Sequence, residues 1–273
     1  MSELKYGGVS LRRVSYLDVP VPAELLGLDE ATVQGLDWAS PAWAEAGQVR
    51  IGAAAWFGKS GGQRFVLDPV QAVDVVLRAD AEAEAANEKA IGELFEGQGF
   101  ARDSIDVVLM THIEGVGMVA SRSADGWVPY FPNARILVSQ DQYDAFCAAE
   151  DPGPDHHEYR AWRALIDAGV VETYVDGEEV IPGVVAEVTG CHGPGHSVFH
   201  IGSDDQTVIF IGHLAVSPVH LATGPCAALN AEPEAAWRCA TEIANRGRDL
   251  IGPLWPEPGA GRWVGDAVEP LAP

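Results

Sequence analysis

Positive charge is scarce in this chain: 17 lysines and arginines stand against 40 aspartates and glutamates in 273 residues, a formal net charge of −23. A surface that acidic repels phosphate backbones and anionic lipid, which argues against nucleic-acid binding and membrane-surface association. Long apolar runs are missing as well. The longest, such as Ser104–Met110 and Thr207–Ile211, fall far short of the ~20 residues that a membrane-spanning helix requires. The first residues, Met1-Ser2-Glu3-Leu4-Lys5, lack the apolar core of a secretion signal, so a cytoplasmic location is the expectation. Cysteine is rare: Cys147, Cys191, Cys226 and Cys239 contain no C-x-x-C pair and no zinc-ribbon spacing. They read as buried thiols of a reducing compartment. Cys191, beside His192, is open to a second reading as a sulfur ligand or reactive thiol.

What the chain does have is apolar content, 47% of its residues, enough to bury a substantial core in one domain spanning residues 1–273. Residues 1–48, with Pro20, Pro22, Pro41, Trp38 and Trp43, read as an N-terminal strand followed by a segment that wraps its aromatics onto the body. Strand-like runs follow at Val49–Phe57 and Arg64–Leu67, on either side of the turn signal Ser60-Gly61-Gly62. The spacing of Ala90, Ile91, Leu94 and Phe95 predicts a helix over Ala81–Gln98. A strand is expected at Ile105–Thr111, another at Arg135–Val138, and a helix over Gln140–Ala149 capped by Ser139. Further strands are expected at Val171–Val175, Val184–Val188, Ser197–Ile201 and Thr207–Ile211. A helix from Pro233 to about Arg246 then precedes a last strand near Leu250–Leu254. Strands alternating with helices over short connections predict stacked α/β layers.

Chemistry-bearing residues concentrate at strand ends. The run Thr111-His112-Ile113-Glu114-Gly115 leaves an apolar strand, and residues two apart on an extended segment face the same way, so His112 and Glu114 can converge. Thr189-Gly190-Cys191-His192-Gly193-Pro194-Gly195-His196 places two histidines in a Gly/Pro-rich loop, and a further apolar strand ends in Ile211-Gly212-His213-Leu214. His or carboxylate at three strand ends suits a metal ion.

In order and context these motifs resemble the metallo-β-lactamase superfamily, particularly its lactonase-like and organophosphate-hydrolase-like bacterial members. Phe65-Val66-Leu67-Asp68-Pro69 is similar to the family's early strand and aspartate turn. Asp103–His112 is similar to its approach strand, Gly126–Arg135 to the stretch after it, and Pro256–Arg262 to its C-terminal signature. The resemblance spans Val49 to Val264. It implies an α/β fold of two mixed sheets flanked by helices, an αββα sandwich.

The same resemblance locates the departures. Where the family carries T-H-x-H-x-D-H, residues 111–117 keep the first His as His112, put Glu114 at the second, and put Val116 and Gly117 at the D-H pair. The loop histidine survives as His192, the bridging aspartate becomes His213, and the late histidine falls on Leu254. Every exclusive donor of the second metal is thereby lost, whereas His112, Glu114, His192 and His213 still surround the first. The resemblance thus implies at most one Zn, Fe or Mn ion and hydrolysis of an ester, lactone or amide in a small-molecule substrate. Two alternatives stay open at this stage. One is a non-hydrolytic enzyme of a specialised biosynthetic pathway, metal-free with Glu114, His192 and His213 as acid and base, or redox-active on one iron. The other is a small-molecule-binding protein without catalysis. Glu114 reads equally as ligand or as acid/base, His196 as an outer partner of the site, and Asp68 as a structural residue of the early turn. His200 and His220 read as ordinary strand or loop histidines, and His156-His157 as part of an exposed acidic loop. Trp127, Tyr130 and Phe131 are open to pocket-lining or packing roles. A homodimer is compatible with the sequence.

Overall fold

The computed structural model describes residues 3–69, 81–113, 117–153, 156–203, 205–226, 230 and 232–271. Two sheets lie face to face. The first runs in the order Leu4–Tyr6, Val9–Pro22, Gln48–Ser60, Gln63–Leu67, Val107–Leu109, Arg135–Ser139 and Val171–Tyr174, with Ala44–Glu45 paired beside Gln48–Ser60. Its last four strands are parallel to one another and the others antiparallel. The second sheet runs Glu179–Ile181, Val184–Val188, Ser197–Ser203, Gln206–Phe210, Asp249–Ile251, Ala260–Val264 and Ala267–Pro270. In it only Gln206–Phe210 and Asp249–Ile251 are parallel.

The two-residue period of a strand explains the layering. Trp56, Phe65, Leu67, Val107 and Leu109 point inward and meet Phe199, Ile201, Val208, Phe210 and Ile251 of the other sheet. Their neighbours Phe57, Val66, Val108 and Ile136 point outward, where Ile91 and Phe95 of the helix Ala81–Gly97 and Trp162 and Leu165 of the helix His157–Asp167 cover them. On the other side Val198, Ile209 and Leu250 pack under Ala236, Ala240 and Ile243 of the helix Pro233–Ala244, joined by Leu26, Val33 and Trp43 from the N-terminal segment. The result is helix, sheet, sheet, helix, as expected.

Most predicted elements stand within a few residues of their expected bounds, and four features differ. The strand expected at Leu250–Leu254 is Asp249–Ile251, because the chain turns away to bond the first sheet: Gly52 N–H donates to Leu254 O (2.7 Å) and Ala54 N–H to Pro253 O (2.9 Å). His157 opens a helix, His157–Asp167, whose buried Ala161, Trp162 and Leu165 share one face opposite its charged residues. The hairpins Ala120–Ser123/Gly126–Pro129 and Ala260–Val264/Ala267–Pro270 are too short and too exposed to leave an alternating pattern. Finally, the four cysteines are free thiols, but only Cys226 is buried, and Cys147 is exposed. The aromatics Tyr130 and Phe131 are buried in the core, at 4% and 1% exposure. No helix among the described residues is long and apolar enough to cross a membrane.

His220 turns out to be buried, in the short helix Pro218–Thr223 rather than a loop. Burial lowers its pKa from 6.5 to about 4, opposed weakly by the carbonyls of Ser217 and Leu26. Neither ring nitrogen makes a hydrogen bond of ordinary geometry. A lowered folded pKa means that the unfolded chain binds the extra proton first, so stability is complete above about pH 6.5 and is lost as pH falls toward about 4. His220→Leu is therefore expected to flatten the pH dependence of urea denaturation across that window, by up to about 1.4 kcal/mol per pH unit. An unchanged slope would show that His220 is not the group that titrates.

Candidate metal centre

The strands deliver their chemistry to one edge of the sandwich. Asp68 follows the strand Gln63–Leu67, Thr111 and His112 follow Val107–Leu109, and His213 follows Gln206–Phe210. His192 and His196 lie in the loop between Val184–Val188 and Ser197–Ser203. The two sheets are stitched here by Ser197 N–H donating to Thr111 O (2.8 Å). Ser139 Oγ also donates to Gly195 O (2.6 Å), tying the histidine loop to the end of the strand Arg135–Ser139.

One ring nitrogen from each of His112, His192 and His213 lies within 4.8 Å of the others. His112 and His213 are each only 9% exposed. The ring of His112 sits 4.7 Å from that of His192 and 5.0 Å from that of His213, centroid to centroid. Glu114 and Val116 lie outside the described residues. Gly117 (φ 36°) and Leu254, which the sequence resemblance sets at second-metal positions, bring no donor side chain.

Hydrogen bonds fix how two of the imidazoles are presented. Asp68, 2% exposed, accepts from Thr111 N–H (2.8 Å) and from Thr111 Oγ1–H (2.7 Å). Thr111 has one hydroxyl proton and has given it to the carboxylate. Its contact with His112 Nδ1 (2.8 Å) must then be an Nδ1–H donation from the ring. Burial raises the pKa of Asp68, and the neighbouring His112 and the two bonds from Thr111 oppose that rise. On the other side His192 Nδ1 lies 2.7 Å from Asn230 Oδ1. The Asn230 Nδ2 donates to Cys226 O (3.2 Å), which fixes the amide so that its oxygen faces the imidazole. His192 therefore also donates from Nδ1.

His196 lies behind this cluster. It is fully buried, with its ring 5.1 Å from His112 and 5.3 Å from His192. Its Nδ1 is 3.2 Å from Thr189 Oγ1, whose proton goes to the His196 carbonyl (3.0 Å). Gly212, with φ 59°, leaves the space that these rings occupy: a Cβ there would stand 2.9 Å from His196 Nε2 and 3.0 Å from Thr111. His200 is remote in role, paired with Glu187 (2.6 Å), which also holds Arg246. The cluster contains one residue that sequence reasoning missed, Asn230, which carries no local signal because it lies 38 positions from its histidine.

The donor set fits a metal ion in kind. It offers three imidazoles, two with their protonated nitrogens turned outward, and the nitrogens must close by roughly 1.5 Å at most to reach the ~3.3 Å spacing that Zn–N bonds of about 2.0–2.1 Å impose.

Comparison with known proteins agrees with the architecture. The profile described as the Metallo-beta-lactamase superfamily matches residues 123–253. Among solved structures, the hydrolase AbOPH of the beta lactamase superfamily superposes with a TM-score of 0.74 at 18% identity, covering 99% of this chain and 97% of that one. AidC, a dizinc quorum-quenching lactonase, gives 0.73 at 14% identity over 99% and 97%. A probable metal-dependent hydrolase from Staphylococcus aureus gives 0.66 at 16% identity over 99% of both chains. Comparison with curated protein sequences gives no match. The chain has the metallo-β-lactamase fold.

Thr111→Val removes the hydroxyl between Asp68 and His112 with almost no change of shape. It leaves a buried carboxylate oxygen and a ring N–H each short of a partner, and is expected to cost about 1–3 kcal/mol in chemical denaturation. Wild-type stability in this variant would show that the three groups do not act as a unit.

Proposed function

We propose that this chain is a small-molecule hydrolase acting on an ester, lactone or amide with a single metal ion held by His112, His192 and His213, with Glu114 as a further ligand or as the acid/base. The observation that carries the reading is the convergence of three imidazole nitrogens within 4.8 Å at one edge of the sandwich. A divalent ion there supplies Lewis acidity, which polarises a scissile carbonyl and acidifies water. The protein's own contribution is orientation: Thr111 and Asn230 hold His112 and His192 with Nε2 toward the centre. Glu114 follows His112 by two residues, where a carboxylate serves to accept the proton of the attacking water and return it to the leaving group. The hydrolases and the lactonase to which the fold is similar support this reaction class, at identities of 14–18%.

Metal count separates this chain from the relative named as dizinc. With glycine at position 117 and leucine at 254, one ion per chain is the expected stoichiometry rather than two. An all-imidazole set with one carboxylate accepts zinc, iron or manganese. A cytoplasmic location, one domain over residues 1–273 and a homodimer complete the proposal.

The test joins metal content to turnover. Elemental analysis of protein purified without chelator is expected to find close to one equivalent of zinc, iron or manganese. A panel of lactones, aryl esters and amides is expected to contain a substrate whose turnover falls about a hundredfold or more in Glu114→Gln and is abolished by His112→Ala or His192→Ala. Absence of metal even after reconstitution, or turnover indifferent to all three substitutions, would remove the reading.

A further inference from the structure

We propose that Asn230 is a positioning residue that sets the tautomer of His192, so that the site receives a preformed Nε2 lone pair rather than a ring that must exchange its proton on binding. The proposal rests on the metal-site reading above for its functional meaning, but its physical content concerns this chain's own residues. An imidazole free in solution places its single proton on either nitrogen. In a ligand position the nitrogen facing the ion must be bare, and the neutral ring is held that way when the opposite N–H has an acceptor.

His112 has that acceptor from its own neighbour in sequence, Thr111, backed by Asp68. His192 has no such neighbour. Cys191 gives its thiol proton to Thr189 O (3.3 Å), and Gly193 follows. The acceptor for His192 instead comes from a remote part of the chain, as Asn230 Oδ1 at 2.7 Å.

An amide is ambiguous as an acceptor unless something fixes which end faces the ring. Here the Asn230 Nδ2 donates to Cys226 O at 3.2 Å. Cys226 is itself held, since its thiol donates to Leu26 O (3.4 Å) in the N-terminal segment. Asn230 is 9% exposed, so water competes weakly for either contact. Oxygen toward His192 is the orientation that satisfies both ends, and only the Nδ1–H form of His192 satisfies the oxygen.

The tautomer is read directly by long-range ¹H–¹⁵N correlation of metal-free, ¹⁵N-histidine-labelled protein at about pH 8.5, two units above the ordinary histidine value. His192 is assigned by the signals lost in His192→Gln. The wild-type protein is expected to show Nδ1–H. Asn230→Leu, which keeps the bulk and removes the acceptor, is expected to show Nε2–H or an average of the two forms. Asn230→Asp, which restores an acceptor oxygen, is expected to return Nδ1–H. Cobalt(II) titration of the same proteins should follow, with affinity about 10- to 100-fold weaker in the leucine variant and within a few-fold of wild type in the aspartate variant. His192 remaining Nδ1–H in Asn230→Leu overturns the proposal. So does equal loss of tautomer and affinity in both variants, which is what a purely structural role produces. Failure of the wild-type protein to bind any metal would defeat the mononuclear reading instead, while the tautomer comparison still decides the role of Asn230.

Discussion

Thr111 has one hydroxyl proton, and the whole candidate site is organised by where that proton goes. Given to Asp68, it turns the oxygen into an acceptor for His112 and so decides which nitrogen of that ring faces the other histidines. The same residue's N–H holds the other carboxylate oxygen, and its carbonyl receives Ser197 N–H from the opposite sheet. One residue just beyond a strand thus joins two sheets and orients an imidazole. Asp68 can serve it because the backbone there adopts φ 38°, which turns the chain sharply at the end of the strand Gln63–Leu67 and brings the carboxylate back over the sheet edge. A positive φ is uncommon for a residue other than glycine. Here two hydrogen bonds to a buried carboxylate offset its cost.

Much of this was legible in the sequence, for a physical reason. Strands buried on both faces show as short apolar runs, and the turn residues after them are polar, so Asp68, His112 and His213 stood out at the ends of such runs. The helices under Ile91–Phe95 and Ala236–Ile243 repeat at helical spacing and were equally readable. Legibility failed where structure is made by partners distant in sequence. The helix His157–Asp167 does carry Ala161, Trp162 and Leu165 at helical spacing, and what stays hidden is the core in which Trp162 and Leu165 seat. The burial of His220 is likewise a property of what packs over it. Asn230 is an unremarkable asparagine until the fold brings it against His192.

The segment Pro253–Trp255 ties together parts of the fold that are far apart in sequence. The backbone carbonyls of Pro253 and Leu254 accept hydrogen bonds from Ala54 and Gly52 of the first sheet. Gly52 permits that approach, since a Cβ there would meet the Trp255 carbonyl at 2.6 Å. Trp255 is fully buried, stacks edge-on against Trp43 at 5.9 Å and donates its indole N–H to Ala215 O (2.7 Å). Burying two tryptophans and closing two backbone bonds and one indole bond is stabilising in its own right. The segment contributes cohesion between the sheets without contributing a donor.

That arrangement gives the first fifty residues a bearing on chemistry they do not touch. Ala215 lies two residues after His213, so Trp43, through Trp255, steadies the strand end that carries one imidazole. Leu26, through Cys226 and Asn230, steadies the acceptor of another. The N-terminal segment and the strands Gln63–Leu67 and Val107–Leu109 thus both support the cluster: the strands hold His112 through Asp68 and Thr111, and the wrap supports His192 through the Leu26 carbonyl and His213 through Trp43. Three loops from three strand ends are free to drift relative to one another unless each is tied to something rigid. Tied in this way, the three histidines are gathered by the scaffold itself.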